Sequence, residues 1–290
     1  RSTLFPYTTL FRSPYSIRPF WDNPRMRPIL LLLCLGLCRA AAADTACQAP
    51  SAECTPVGEW DLTLSLGAGT RTNPVANNSD IPLVLVPQIS YYGKRVFLEN
   101  LELGFTLHEG RSQTFNVIAT PGYDRVFFHR NDPQNIFIPF GAFGATTVEL
   151  RVTERHTTYL AGLEWMVYAG RFVGQVDALY EVTGRHQGAE LRAALARDFT
   201  VGRGGFSAST GLTWKSAEVV DYYYGVEGAY LPDSAINPFF KLEYGVPLSD
   251  RWRFRAFAHY EHLDDAIADS PLVSDGAVVT AFAGFVLKIF

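Results

Sequence analysis

In the stretch WDLTLSLGA, Trp60, Leu62, Leu64, Leu66 and Ala68 fall on one face of an extended chain, and Asp61, Thr63, Ser65 and Gly67 on the other. The period is two, as side chains that alternate across a strand require. RFVGQVDALYEVT repeats it, with Phe172, Gly174, Val176, Ala178, Tyr180 and Val182 against Arg171, Gln175, Asp177, Glu181 and Thr183. FSASTGLTWK and WRFRAFAHYEH divide the same way, setting Phe206, Ala208, Leu212 and Trp214, or Trp252, Phe254, Ala256 and Tyr260, opposite polar partners. These segments run about nine to twelve residues, the length a tilted strand needs to cross a bilayer, whereas strands of soluble sandwiches are mostly five or six. The pattern predicts an all-β, transmembrane antiparallel β-barrel.

Strands are expected near 59–69, 82–92, 95–107, 113–120, 156–168, 171–183, 189–200, 206–217, 221–230, 237–247, 252–263 and 278–290. That makes twelve, an even number, as bacterial single-chain barrels have. Parity then puts both chain ends in the periplasm, with turns there at Gly93 to Lys94, Gly184 to Gly188 and Pro247 to Asp250, and loops 70–81 and 264–277 outside. Segment 121–155 falls on the periplasmic side in this scheme. It is rich in proline and glycine, and either folds as a periplasmic or lumenal segment or adds two strands, near 123–130 and 136–144, making fourteen.

The N-terminal region reads differently. RSTLFPYTTLFRS, residues 1–13, is nearly symmetrical about its middle, has no structural period and resembles a sequencing adapter translated in frame. From Met26, a basic start, the apolar run Ile29 to Leu37 and the small residues Ala41 to Ala43 have the anatomy of a secretory signal peptide. The expected organisation is therefore upstream non-native sequence at 1–25, a signal peptide at 26–43, a periplasmic arm at 44–58 and the barrel at 59–290. A lipoprotein reading of Cys34 and Cys38 is disfavoured by the leucines before them, Leu33 and Leu37. Cys47 and Cys54 remain, and in an oxidising compartment they suit a local disulfide better than a metal site.

Composition narrows the classes. The chain is 14% aromatic and 48% hydrophobic, and its 25 basic and 29 acidic residues are too balanced for a nucleic-acid binder. Past Ala43 no apolar run approaches the length of a membrane helix.

Several short stretches, VPQISYYGKRVFLENLELGFTLHE (86–109), ATPGYD (119–124), VTGRHQGAE (182–190), DYYYGV (221–226) and the final GFVLKIF, occur in an order that resembles the MipA/OmpV family of outer-membrane proteins. The resemblance covers nearly all of 57–290 and is weakest over 125–150. It implies a barrel in the Gram-negative outer membrane. It also implies a scaffold for a murein lytic transglycosylase and a murein synthase, with porin-like or adhesive roles in other members. No catalytic residues come with it, and none is assigned here.

The terminal Phe290, with Gly284 in the same strand, is expected to act as the signal read by the barrel-assembly machinery. Asp177, Glu181, Lys241, Glu243, Arg253, Arg255 and Glu261 are expected to face the lumen, where opposite charges either line a narrow channel or pair and close it. His259, Glu261, His262, Asp264, Asp265 and Asp269 form the richest set of acids and imidazoles; a polar row running into a solvated loop explains them better than a metal or proton-transfer site. No cofactor is expected, and outer-membrane lipid surrounds the wall. Scaffold and pore both remain open at this point.

Overall fold

The computed structural model describes residues 57–128 and 155–289. Twelve antiparallel strands close into one barrel: β1 (Trp60–Arg71), β2 (Ile81–Tyr92), β3 (Val96–Glu99), β4 (Glu102–Glu109), β5 (Gln113–Pro121), β6 (Tyr159–Ala169), β7 (Phe172–Glu181), β8 (Ala189–Val201), β9 (Gly204–Lys215), β10 (Ala235–Pro247), β11 (Trp252–His262) and β12 (Ala277–Lys288). A 3-10 helix, Tyr123–Phe127, follows β5; helix α1 (Ala217–Tyr224) follows β9, and the single turn α2 (Asp265–Ala268) follows β11. Among the described residues no helix is long and apolar enough to cross a membrane. Closure gives every strand two neighbours, as a bilayer without water favours, with β2 and β3 joined only through Ser90–Tyr92.

Alternation decides which side chains meet lipid. Leu66, Leu163, Val176, Leu195, Leu212, Phe240, Val279 and Phe285 project outward and stay exposed, a density of bare apolar side chains that only hydrocarbon accommodates. Aromatics bound the band at both ends. Trp60, Trp165, Phe172 and Trp252 stand near one rim, and Tyr159, Tyr180 and Tyr260 near the other. Trp60 packs on Tyr91 with ring centroids 4.9 Å apart, and Trp165 stacks on Phe115 at 5.8 Å.

The seam between β1 and β12 pairs Gly67 with Gly284. A Cβ on Gly284 would lie 2.4 Å from the Leu66 carbonyl oxygen, and one on Gly67 2.3 Å from that of Ala283. Side chains there would push the closing strands apart.

The strand count of twelve holds, but two of its members differ from the expected ones. The single strand foreseen at 95–107 is a hairpin, β3 and β4, which reverses at Asn100 and Leu101 and pairs Glu99 with Glu102. Asn100 takes the left-handed region at φ 54°, which asparagine tolerates better than most residues, and its side-chain oxygen accepts the Ile89 N–H at 3.2 Å. The strand foreseen at 221–230 is replaced by α1 and the loop after it. The first change inverts the direction of every strand from β5 to β9, and the second restores it at β10.

This inversion corrects the sidedness. The turns at the end carrying the described chain ends are 93–95, 110–112, 170–171, 202–203 and 248–251. The connections on the opposite side are 72–80, 100–101, 182–188, 216–234 and 263–276, together with the described flanks 122–128 and 155–158. Outer-membrane barrels keep short turns in the periplasm and long loops outside. The Gly184 to Gly188 turn and the flanks of 121–155, expected in the periplasm, are therefore at the outer end. Of the two added strands considered, the one near 123–130 is replaced by the 3-10 helix Tyr123–Phe127, and the one near 136–144 lies outside the described residues, as do Cys47, Cys54 and Phe290.

Candidate functional site: the closed lumen and its outer plug

The lumen is built in two layers. In the wall, Glu243 is buried between two cations, with the Lys241 Nζ at 3.0 Å and the Arg255 Nε at 2.8 Å. Arg255 also donates to the Gln88 Oε1 at 3.0 Å, tying β11 to β2 past the two strands between them. On the other side of the lumen, Gln175 donates to Glu164 at 3.1 Å and to Asp177 at 3.1 Å, and Asn116 donates to the second Glu164 oxygen. Arg192 pairs with Glu190 at 2.8 Å, and its guanidinium stands 5.9 Å from the centroid of the Tyr123 ring. Buried charges in a low-dielectric interior need such partners.

The second layer packs inside the outer end. Val126 and Phe127 of the 3-10 helix, Val219, Val220, Tyr223 and Tyr224 of α1, and Ile267 of α2 form one buried apolar cluster with wall residues Leu83, Val278 and Phe282. Val219, Val220, Tyr223 and Tyr224 follow a helical spacing, so one stripe of α1 faces inward. Polar bonds tie the loops to each other. The Ser270 hydroxyl donates to the Tyr224 carbonyl at 2.6 Å, the Tyr230 hydroxyl to that of Ala266 at 3.0 Å, and both Asn73 and Asn78 donate to the Phe127 carbonyl.

Asp124 joins the two layers. Its carboxylate accepts from the Lys215 Nζ at 2.6 Å and 2.7 Å and from the Tyr224 hydroxyl at 2.8 Å. Burial alone would push this carboxyl up; the Lys215 ammonium and the two donors override it and hold Asp124 below the usual carboxylate range. Burial beside that carboxylate raises the Tyr224 hydroxyl well above its ordinary value.

Each lumenal residue singled out in the sequence has a definite place. Asp177, Glu181, Lys241, Glu243 and Arg255 are buried on the lumen face, while Arg253 and Glu261 are half-buried on the same face of β11. The structure brings Lys241, Glu243 and Arg255 together and leaves Asp177 with Gln175 on the far wall. Glu181, the last residue of β7, holds the loop after it: its carboxylate accepts the N–H groups of Arg185 at 2.8 Å, His186 at 3.3 Å and Gln187 at 3.2 Å. His186 of that loop packs 5.4 Å from the Tyr222 ring centroid, and burial lowers its pKa against the pull of Glu181 and Glu190.

The acid and imidazole row of β11 disperses. His259 is buried beside Phe239, Glu261 accepts from Asn237 at 3.2 Å, His262 is exposed, and Asp264 caps α2 by accepting the Ala266 N–H at 3.0 Å. Among the described residues no group of three or more His, Cys, Asp or Glu is placed to hold a metal ion. The sequence reading missed Asp124, Lys215 and Tyr224, which lie 91 and 100 residues apart in the chain.

Comparison with known proteins places this architecture. The family described as MltA-interacting protein MipA matches residues 64–288, the whole barrel but for the first four residues of β1. The chain belongs to the MipA family. It is 23% identical to the MltA-interacting protein of Escherichia coli (strain K12) over 254 residues, covering 84% of this chain and 92% of that protein. It is 22% identical over 232 residues to YiaT of the same organism, an outer membrane protein by name, covering 76% and 89%. A solved outer membrane channel from Pseudomonas putida F1 aligns with 83% of this chain and 99% of its own, at 12% identity and a TM-score of 0.43. This MipA-family chain is thus an outer-membrane β-barrel.

Proposed function

We propose that this chain is a closed, membrane-anchored scaffold that holds a periplasmic murein lytic transglycosylase, and a murein synthase beside it, without catalysing a reaction itself. The observation that carries this reading is the outer plug, in which three loops bury one apolar cluster over a lumen whose Lys241, Glu243 and Arg255 are already paired. A barrel stoppered in this way offers its partners a surface and not a passage. The name of the E. coli relative, MltA-interacting protein, supports a partner of this class. Two enzymes held on one anchored surface meet at a raised effective concentration, so tethering alone speeds their cooperation.

The contact surface in this reading is one side of the periplasmic rim, turns 93–95 and 248–251 on either side of the β1–β12 seam, and not the 184–188 turn. The experiment is retention of a purified murein lytic transglycosylase by the detergent-solubilised, folded full chain. Retention that is lost when turns 93–95 and 248–251 are exchanged for plain Asn-Gly turns supports the scaffold. A folded barrel that retains nothing contradicts it, and a porin-like role then becomes the better reading.

A further inference from the structure

Charge is sorted between the two ends of the barrel. Each of the five periplasmic turns carries an arginine: Arg95, Arg111, Arg171, Arg203 and Arg251. All five are exposed, Lys94 adds a sixth cation, and Asp250 is the one acid within these turns. No ion pair joins any of the six to another described residue. At the other end, loops 216–234 and 263–276 hold eight carboxylates and neither lysine nor arginine.

We propose that these arginines form a collar that binds the phosphates of anionic phospholipids in the inner leaflet of the outer membrane. Three observations favour lipid over a periplasmic polymer or an acidic protein. The turns fall between β2 and β3, β4 and β5, β6 and β7, β8 and β9, and β10 and β11, so the cations are distributed along the wall instead of gathering in one patch. An annulus of lipid meets the whole perimeter, whereas a protein docks on one side. The collar also lies at the right depth. Arg171 directly precedes Phe172 and Arg251 directly precedes Trp252, both in the exposed aromatic girdle that marks the membrane interface. A guanidinium one residue beyond the girdle, on a stem that can lie along apolar surface, reaches the headgroup level. Finally, arginine offers a planar fork matched to phosphate oxygens.

The test uses the refolded full chain in phosphatidylcholine bilayers containing trace spin-labelled phosphatidylglycerol or spin-labelled phosphatidylcholine. Phosphatidylglycerol should associate with the barrel about fivefold more strongly than phosphatidylcholine, the worth of one basic residue near an anionic surface. That preference should collapse at 1 M salt, and in the variant with all five arginines replaced by glutamine. Heat-modifiable gel mobility verifies that the variant has folded. Should the fivefold variant fail to assemble, the pairs Arg95→Gln with Arg111→Gln and Arg203→Gln with Arg251→Gln should each lose part of the preference. Equal association of both lipids with the unmodified chain overturns the proposal, as does a preference that survives 1 M salt or the substitutions. Equal association accompanied by arginine-dependent retention on isolated murein sacculi also overturns it, and would give the collar to murein instead.

Discussion

Asp124 is buried where the 3-10 helix, α1 and the end of β9 meet, and it is the counter-ion of Lys215. Replacing Asp124 by asparagine keeps the shape but leaves a buried ammonium without its charge partner, a defect that costs about 3–5 kcal/mol. Asp124→Asn should therefore lower the urea midpoint of the refolded barrel, and an unchanged midpoint would show that the pair is not holding the plug. The sign of the acid dependence follows from the same contact. Because Asp124 is held below its unfolded value, its contribution is full above about pH 4–5, around and above the unfolded pKa of aspartate, and is lost as the pH falls through the lower folded value. The asparagine variant should lack that acid-sensitive component. Alternation along β9 places Lys215 on a face, but no local pattern in the sequence names a partner 91 residues away. Such pairs become legible only once the register of the sheet is known.

At the scale of elements, the differences from the sequence reading have local causes. In 95–107, Phe97 and Glu99 face inward at odd positions, while Glu102 and Gly104 do so at even ones. That slip of phase across Asn100 and Leu101 is the mark of a two-residue turn, hidden because neither residue is glycine or proline. Asn100→Val would force a β-branched residue into the left-handed region and remove the bond to Ile89, at a cost of about 2–3 kcal/mol together. The loss should appear in urea unfolding, with an unaltered midpoint counting against the turn's role. Helix α1 was concealed in another way. Tyrosine and valine favour strands, and tertiary burial overrode that preference; the visible signal was the inward stripe Val219, Val220, Tyr223 and Tyr224. The other strands, nine to thirteen residues long with a period of two, were legible directly.

For the whole molecule, two local misreadings cancelled in the strand count and yet moved loops from one side of the membrane to the other. Sidedness is a product of every reversal before it, so one unseen hairpin inverts all that follows until a second error restores it. The corrected topology puts an acidic, plugged face outside and a basic rim of short turns in the periplasm. The proposed anchored scaffold rests on the outer plug and the paired lumenal charges between these two faces. The most direct measurement is single-channel conductance of the folded full chain in a planar bilayer, with heat-modifiable mobility confirming assembly. The plug and the paired lumenal charges predict a silent barrel, and steady discrete openings of the unmodified chain would contradict the account.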